Sequence, residues 1–348
     1  MIYQTLIWIT IILTLLPLIP SPHWIFRVPD FGKIQLFCIQ IVLLGLSWLD
    51  FNPISFIPLL ATSLLNGSLL LKYTPLYPTS RKPVGNHASK PFTILSLNVY
   101  QDNRNYQKFL DLVTQIKPDL ILTMESDTGW DQAMESLHKD YPYHLKAPLD
   151  NTYGMHLFSR LPFLKSKIHF FVADDLPSME AEVDGGDNFK FKVYALHPPP
   201  PSPTEEETSR ERDGDLLSVA KSIRNNKDIP TVAIGDFNCV AWAEASRLFV
   251  KTSELIDPRV GRGFISTFHA KYKLLRFPID PVYHSPDIFV MDLKTLPNVD
   301  SDHLPLLFRF VIDPQNSSQE DLVESADHSD LVKVEEKIEE GKEETSER

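Results

Sequence analysis

The sequence predicts a mixed α/β domain built on two packed β-sheets, and three observations support this fold class. Short apolar segments rich in β-branched residues end at Gly, Asn or Asp, as strands do. Segments with helical spacing, such as 105–116, lie between several of these strands. Other strands follow one another through hairpin turns such as 184–187. Strands that alternate with helices, combined with hairpins, are typical of a two-sheet α/β sandwich.

Charge divides the chain of 348 residues into three parts. Residues 1–91 carry +4, residues 92–312 carry −7, and residues 313–348 carry −9 of the net charge of −12. The middle part therefore lacks the basic surface that nucleic-acid-binding domains usually show, and nucleic acid as a partner is not supported by charge. Cys38 and Cys239 lie in different parts, so they predict neither a disulfide framework nor a zinc site.

Three apolar segments in residues 1–72 predict a membrane region with about three transmembrane helices, at 2–19, 34–49 and 53–71. A cleaved signal peptide is the alternative for the first segment, although that segment lacks a basic amino-terminal region. With three spans, every Lys and Arg of the first 91 residues lies on one side. The sequence therefore predicts a lipid bilayer as partner and a cytoplasmic location for the large domain.

Two further segments are expected to lack regular structure. Residues 73–91 contain several prolines and no periodicity, so they predict a polar linker. Residues 313–348 are rich in Glu and poor in aromatic residues, and they predict a disordered acidic tail. The folded α/β domain is therefore expected at 92–312.

The most informative motif follows the apolar strand predicted at 231–234. Gly235 allows a tight turn, and Asp236 and Asn238 then share one face because side chains of an extended chain alternate. A carboxylate beside an amide at this place can hold a water or a metal ion and orient a phosphate. Taken alone, the same motif is more often an ordinary turn.

Other polar residues follow predicted strands in the same way. They are Asn98, Glu125, His197, Asp280 and the run Ser301-Asp302-His303. Each has a structural alternative: Glu125 could provide negative charge at the start of the next helix, and His197 could be a strand cap held by the prolines after it. Their convergence at the ends of several strands favours a functional site.

In this order, these residues resemble the motifs of the endonuclease/exonuclease/phosphatase superfamily, which has the fold of deoxyribonuclease I. The resemblance covers about 92–312, and Gly-Asp-Phe-Asn at 235–238 together with Ser-Asp-His at 301–303 are its most specific motifs. The apolar amino-terminal segments and His-Pro-Pro-Pro at 197–200 resemble the bacterial membrane-attached branch. The resemblance implies a four-layer α-β-β-α sandwich in a multi-pass protein of the bacterial inner membrane.

The resemblance also implies roles for the motif residues. Oxygen ligands for Mg²⁺ or Mn²⁺ would come from Asn98, Glu125 and Asp302. The attacking water, the phosphate and the leaving oxygen would be handled by His197, Asp236, Asn238, Asp280 and His303. Within this set, Asp280 would hydrogen-bond His303, and either Asp236 or His303 would take the proton of the water. Tyr100 occupies a position where many relatives have an acidic residue.

The function implied is a membrane-anchored, divalent-metal-dependent phosphoesterase. Its substrate would be a phosphodiester or phosphomonoester in nucleic acid, a phospholipid head group or a small molecule. The alternative is a catalytically inactive, membrane-tethered binding module of the same fold. Loss of Glu125 or His303 would have favoured this alternative, and both residues are present.

Overall fold

The computed structural model describes residues 2–78, 82–85 and 87–344, which fall into two compact units. The first unit comprises Met1–Thr79, Pro200–Ser209 and Arg259–Phe264, and the second comprises the rest of the chain. Residues 79–81 and 86 of the predicted linker, and residues 345–348 of the predicted tail, lie outside the described residues.

The first unit is helical. Its helices are α1 (Ile2–Leu15), α2 (Trp24–Phe31), α3 (Lys33–Ser47) and α4 (Pro53–Leu71). Helix α4 is long and apolar enough to cross a membrane, whereas α2 and α3 meet that criterion only together, as a pair bent by 69°, and α1 is shorter. Because a buried helix of a soluble protein meets the same criterion, the three predicted spans at 2–19, 34–49 and 53–71 stay a prediction.

The second unit contains two β-sheets, which confirms the predicted mixed α/β fold. The first sheet has the order β10 (Ile288–Thr295), β11 (Leu306–Ile312), β1 (Phe92–Asn98), β2 (Leu120–Met124), β4 (Met155–Ser159) and β3 (Tyr143–Ala147). The second sheet has the order β5 (Phe163–His169), β6 (Ser178–Gly186), β7 (Phe189–Leu196), β8 (Thr231–Gly235) and β9 (Val282–His284).

Two parallel strand pairs position the polar residues that follow them. Strands β1 and β2 are parallel with Asn98 opposite Met124, so Asn98 and Glu125 emerge at one edge of the first sheet. Strands β7 and β8 are parallel with Leu196 opposite Gly235, so His197 and Asp236 emerge at one edge of the second sheet. The backbone N–H of Asp236 lies 3.0 Å from the Met124 sulfur, which joins the two edges.

The two sheets share one core, and helices pack on their other faces. Ile94 lies in the core between the sheets, while its neighbour Leu95 packs with Phe109 and Trp130 on the opposite face, as strand alternation requires. That outer layer contains α5 (Tyr106–Ile116) and α6 (Thr128–Ala133). On the second sheet, Ser178 donates a 3.1 Å hydrogen bond to Asp215 in the helix α7 (Arg210–Arg224).

The predicted disorder of residues 313–348 is wrong over most of the described part of this segment. Helix α9 (His328–Glu343) begins at Asp327, which forms a capping box with Asp330. Val334 and Ile338 are buried against Leu217 of α7 and Leu248 of α8 (Glu244–Ser253). The acidic composition concealed an apolar stripe at helical spacing, because only one face of the helix is buried.

The predicted linker at 73–91 also differs from the structure in its second half. The backbone N–H of Gly85 donates to the Asp313 carboxylate at 2.8 Å, and that of Ser89 donates to the Ile312 carbonyl at 2.8 Å. Residues 83–85 and Ser89 therefore lie along the end of β11 and belong to the second unit. The proline content did not reveal this, because these hydrogen bonds join residues more than 200 positions apart.

Candidate active site

Asn98 stands at the centre of the converging strand ends. Its side chain is 1% exposed, and its amide nitrogen donates to Glu125 Oε1 at 2.8 Å and to Asp236 Oδ2 at 3.1 Å. Its amide oxygen accepts the Tyr100 backbone N–H at 3.1 Å, which fixes the orientation of the side chain. One amide group therefore holds together carboxylates that follow strands of two different sheets.

Glu125 leaves β2 with a left-handed backbone conformation, at φ 56°. One carboxylate oxygen accepts from Asn98, and the other accepts the backbone N–H of Gln101 at 3.1 Å. The helix that follows is instead capped by Asp127, whose side chain accepts the Trp130 N–H at 2.8 Å. The structure therefore contradicts the alternative in which Glu125 serves the start of that helix.

Asp236, Asp280 and His303 form a buried group of charged side chains. His303 Nδ1 lies 2.8 Å from Asp280 Oδ2, and its Nε2 lies 3.5 Å from Asp236 Oδ2. The three residues are 1%, 5% and 4% exposed, respectively. Asp280 and His303 are separated by 23 positions in the sequence, so only the fold brings them into contact.

The charges of this group are set by burial and by its neighbours. Burial alone would lower the pKa of His303, but Asp280 and then Asp236 raise it to about 10. Burial raises the pKa of Asp236, and repulsion from Asp280 adds to the rise. Both imidazole nitrogens face carboxylates, so His303 is an imidazolium that donates to Asp280 and points its second N–H toward Asp236. Asp236 can therefore accept a proton while remaining fixed in position.

His197 follows β7 and is 3% exposed, with its ring 5.6 Å from that of Tyr153. Burial and the positive charge of His303 lower the pKa of His197 to about 3. The side chain is therefore neutral, and it has one N–H to donate. Its Nδ1 has no hydrogen-bond partner among the described residues, although it is buried. A buried nitrogen of this kind can serve a bound substrate.

The turn between Gly235 and Asn238 has little freedom. A Cβ atom on Gly235, whose φ is 153°, would lie 1.9 Å from the Leu196 carbonyl oxygen, so only glycine fits. The Asn238 backbone N–H donates to Asp236 Oδ1 at 3.0 Å, and its side-chain amide donates to the Pro198 carbonyl at 3.0 Å. These bonds fix the Asp236 carboxylate and the Asn238 amide in place.

Glu125 and Asp302 fit the requirements of a divalent metal ion. Burial raises the pKa of Glu125 and the negative charge of Asp302 adds to the rise, whereas the Asn98 hydrogen bond and the charge of His303 oppose it. In the described part of the chain, no Lys or Arg lies within ion-pair distance of either carboxylate. Carboxylate oxygens that pair with no Lys or Arg are a suitable donor set for Mg²⁺.

Asp236, Asp280 and His303 also lie close enough to be considered as metal ligands, since one atom of each falls within 4.8 Å of the others. The hydrogen bonds argue against this assignment. A metal-bound His must present an unprotonated nitrogen, whereas both nitrogens of His303 face carboxylates. This group is therefore better suited to holding protons than to holding a cation.

Sequence reasoning missed some residues that hold the site together. Thr267 is fully buried and donates its hydroxyl to the same Asp280 oxygen that His303 contacts. The Ser301 hydroxyl donates to the Asn98 carbonyl at 2.7 Å and accepts the His303 N–H at 3.0 Å. No local pattern marks Thr267, whereas Ser301 lies in a recognised motif and only its role was missed.

Comparison with known proteins identifies the family to which this chain belongs. Residues 95–303 match the model of the endonuclease/exonuclease/phosphatase family. The chain belongs to this family. Members of the family are typically metal-dependent phosphoesterases and nucleases, and they use divalent metals, typically Mg²⁺. A search of curated proteins found no match.

Several solved structures share the fold of this chain. A humanised D. rerio TDP2 carrying 14 mutations has a TM-score of 0.54 at 17% identity, covering 64% of this chain and 99% of its own. The human nocturnin catalytic domain with bound sulfate has a TM-score of 0.53 at 18% identity, with coverage of 63% and 94%. A family protein from Bacteroides thetaiotaomicron has a TM-score of 0.54 at 17% identity, with coverage of 65% and 99%.

Proposed function

We propose that this chain is a divalent-metal-dependent phosphoesterase that is attached to a membrane. The observation that carries the proposal is the double hydrogen bond from Asn98 to Glu125 and Asp236. It joins a carboxylate suited to a metal ion with a carboxylate suited to a proton. Phosphoester hydrolysis needs both functions within a few ångströms of the same phosphorus.

The residues divide the chemistry between them. Glu125 and Asp302 would hold Mg²⁺ or Mn²⁺, which would offset negative charge on a phosphoryl oxygen and on the leaving oxygen. Asn98, whose amide nitrogen donates to Glu125, would position that carboxylate rather than bind the ion itself. Asp236, with Asn238 beside it, orients the attacking water and accepts its proton, because its raised pKa makes it a stronger base than a solvent-exposed carboxylate.

The two histidines would act on the phosphate. His303 carries a positive charge that Asp280 maintains, and it can stabilise the extra negative charge of the transition state. Neutral His197 donates its remaining N–H to a phosphate oxygen or to the leaving oxygen. An inactive binding module would not need a buried imidazolium between two carboxylates, because that arrangement is costly to bury.

The helices of the first unit support attachment to a lipid bilayer. Their surface exposes large apolar side chains, such as Val42 at 62%, Ile54 at 73% and Leu64 at 65%. Their interior instead contains polar groups: Asn66 donates to Gln40 at 3.0 Å and to Thr14 at 3.1 Å. An apolar exterior around hydrogen-bonded polar residues is the arrangement that a bilayer favours.

A panel of phosphodiester and phosphomonoester substrates, assayed on the purified full chain with and without Mg²⁺, tests the proposal. Wild type should hydrolyse at least one substrate, and chelation of the metal should stop the reaction. The change Glu125→Gln should lower kcat/KM at least about a hundredfold, because the amide keeps the shape of the side chain and loses the charge that holds the cation.

Glu135→Gln is the matched control, because it makes the same chemical change at an exposed position on a short helix remote from the strand ends. It should leave both activity and stability unchanged. Metal-dependent hydrolysis that survives in Glu125→Gln at the level of the control would remove Glu125 from the site. Failure of wild type to hydrolyse any substrate with Mg²⁺ or Mn²⁺ would favour the inactive binding module.

A further inference from the structure

One loop of the second unit places large apolar side chains in solvent. This loop, named the Leu274 loop, comprises residues 269–276. Tyr272 is 59% exposed, Leu274 is 86% exposed and Leu275 is 56% exposed. Exposed apolar residues are common singly, but three within four positions at a loop tip indicate a contact surface.

The Leu274 loop is a defined structure. Its tip is a 3₁₀ turn over Lys273–Leu275, and the Leu275 N–H donates to the Tyr272 carbonyl at 2.9 Å. The Arg276 guanidinium donates to the His269 carbonyl at 3.3 Å and also to the Ala270 carbonyl, which closes the base of the loop. The apolar tip is thus held outward by hydrogen bonds beneath it.

Positive charge surrounds the apolar tip. Lys271 and Lys273 are both exposed, and neither lies within 4.0 Å of a carboxylate in the described part of the chain. Side-chain hydrogen bonds first, and then the charge of Lys271, keep the pKa of Asp300 low, so Asp300 is the acidic residue that senses this lysine. They flank Tyr272, so the loop presents an alternation of basic and apolar side chains. This local charge is opposite in sign to the net charge of residues 92–312, which is −7. A positively charged loop in a negatively charged domain favours an anionic partner that contacts the loop and not the rest of the domain.

The loop also begins at the candidate active site. The Ala270 N–H donates to the Asp302 carbonyl at 2.6 Å. The ring of Phe268, one residue before the loop, lies 4.8 Å from the His303 imidazole. Whatever surface the loop contacts is therefore brought close to the residues that would act on a phosphate.

We propose that the Leu274 loop inserts into the surface of an anionic phospholipid bilayer and holds the active site against lipid head groups. The proposal deepens the phosphoesterase function and rests on it for the substrate class, which would be an amphiphilic phosphoester. Contact with acyl chains would stabilise the leucine side chains in the docked state, while Lys271 and Lys273 would bind lipid phosphates, as at other interfacial segments.

Single-stranded nucleic acid is the other anionic polymer to consider, and the residue types argue against it. Such binding relies on aromatic rings that stack on bases, along a basic groove that follows the backbone. The two rings of the loop, His269 and Tyr272, pack edge to face with centroids 4.8 Å apart, and its most exposed residue is Leu274, which cannot stack on a base. The acidic charge of the surrounding domain would also repel a long polyanion.

Lipid contact can be measured on the full chain reconstituted in vesicles of phosphatidylcholine, with or without phosphatidylglycerol. A polarity-sensitive fluorophore is attached through Leu274→Cys in a Cys38→Ser background, because Cys38 is exposed and Cys239 is buried. Doxyl-labelled lipid should quench this probe in the phosphatidylglycerol vesicles. Leu164→Cys on β5, an exposed leucine at 51% against 86% for Leu274, is the control and should stay unquenched.

Hydrolysis supplies the second measurement. The double change Leu274→Ser/Leu275→Ser should lower hydrolysis of vesicle phospholipid at least about tenfold, because two leucines no longer stabilise the docked state. Hydrolysis of a water-soluble diester, bis(4-nitrophenyl) phosphate, should stay within about twofold, since neither leucine contacts the reacting atoms. Lys271→Glu/Lys273→Glu should reduce quenching of the Leu274 probe only in the phosphatidylglycerol vesicles.

The outcomes separate the two proposals. Hydrolysis of the soluble diester without selective quenching at Leu274 would refute the bilayer contact and leave the phosphoesterase function standing. Quenching without hydrolysis of any phosphoester would support the contact and refute the function. If the leucine variant instead loses hydrolysis of a single-stranded oligonucleotide and the probe is not quenched, the loop binds nucleic acid and the bilayer proposal is wrong.

Discussion

Removal of the Asp280 charge is the most searching test of the site. In the change Asp280→Asn, the amide keeps the size of the carboxylate but no longer attracts the imidazolium 2.8 Å away. The pKa of His303 is held near 10 by Asp280 first and Asp236 second, against burial, which alone would lower it. We therefore expect the pKa of His303 to fall well below its wild-type value in the variant, with Asp236 supplying the attraction that remains.

The expected magnitudes follow from burial. Loss of one partner of a buried ion pair costs about 3–5 kcal/mol when the other charge persists, and His303 avoids part of this cost by releasing its proton. The corresponding loss of turnover lies between about a hundredfold and ten-thousandfold, the usual contribution of a proton-handling group. Thr267→Val removes only a hydroxyl from Asp280 and should cost roughly three- to tenfold.

The sign of the pH dependence can also be stated. Because the folded pKa of His303 is raised above the unfolded value of about 6.5, its stabilising contribution is complete below that pH. The contribution is lost as the pH rises through about 10. The difference in unfolding free energy between wild type and Asp280→Asn should therefore shrink between these two pH values, as measured by chemical denaturation.

Turnover with saturating Mg²⁺ and NMR titration of His303 together provide the assay. Asp280→Asn should lower turnover nearly as much as His303→Ala does. The turnover of the double variant should be only slightly below that of the slower single variant, because the effects of groups that act together are not additive. Additive losses, combined with an unchanged titration of His303 in Asp280→Asn, would show that the two residues do not act as a unit.

Three further predictions concern stability and are measured by thermal or chemical unfolding. Gly235→Ala should destabilise the second unit by several kcal/mol or prevent folding, because the new Cβ would overlap the Leu196 carbonyl; a stable variant would mean that this turn adjusts. Truncation before residue 327 should cost about 3–5 kcal/mol, the value of burying Val334 and Ile338; an unchanged Tm would mean that α9 contributes nothing. Burial raises the pKa of Asp215 to about 7, so wild type should lose stability as the pH rises from about 4 to 7. Asp215→Asn should lose that part of the pH dependence, and parallel curves would contradict the buried proton.

Sequence patterns predicted most strands of the second unit, because a buried strand has a local signature. The strand predicted at 231–234 lies in β8, and the helical segment predicted at 105–116 contains α5. Strand β3 was missed because its side chains are largely exposed, and β9 because it has only three residues. An apolar pattern is informative only where burial selects it.

The carboxyl-terminal segment shows that composition can also predict disorder where a helix is packed. Its composition suggested disorder, yet α9 packs and also forms ion pairs with α7. Lys337 lies 2.9 Å from the buried Asp213, whose neighbour Arg212 donates to the Asn238 carbonyl at 3.2 Å. The segment that was predicted to be a disordered tail is thereby connected to the turn that carries Asp236 and Asn238.

The sequence by itself predicted the residues of the candidate site, because their order along the chain and their places after strands are local properties. It also determined the family. Only the tertiary structure decided that Asn98 joins Glu125 to Asp236, that Thr267 supports Asp280, and that the Leu274 loop begins beside His303. These contacts join residues 13 to 138 positions apart, or depend on a loop lying beside a strand end. Sheet pairing sets such distances, and no local pattern contains them.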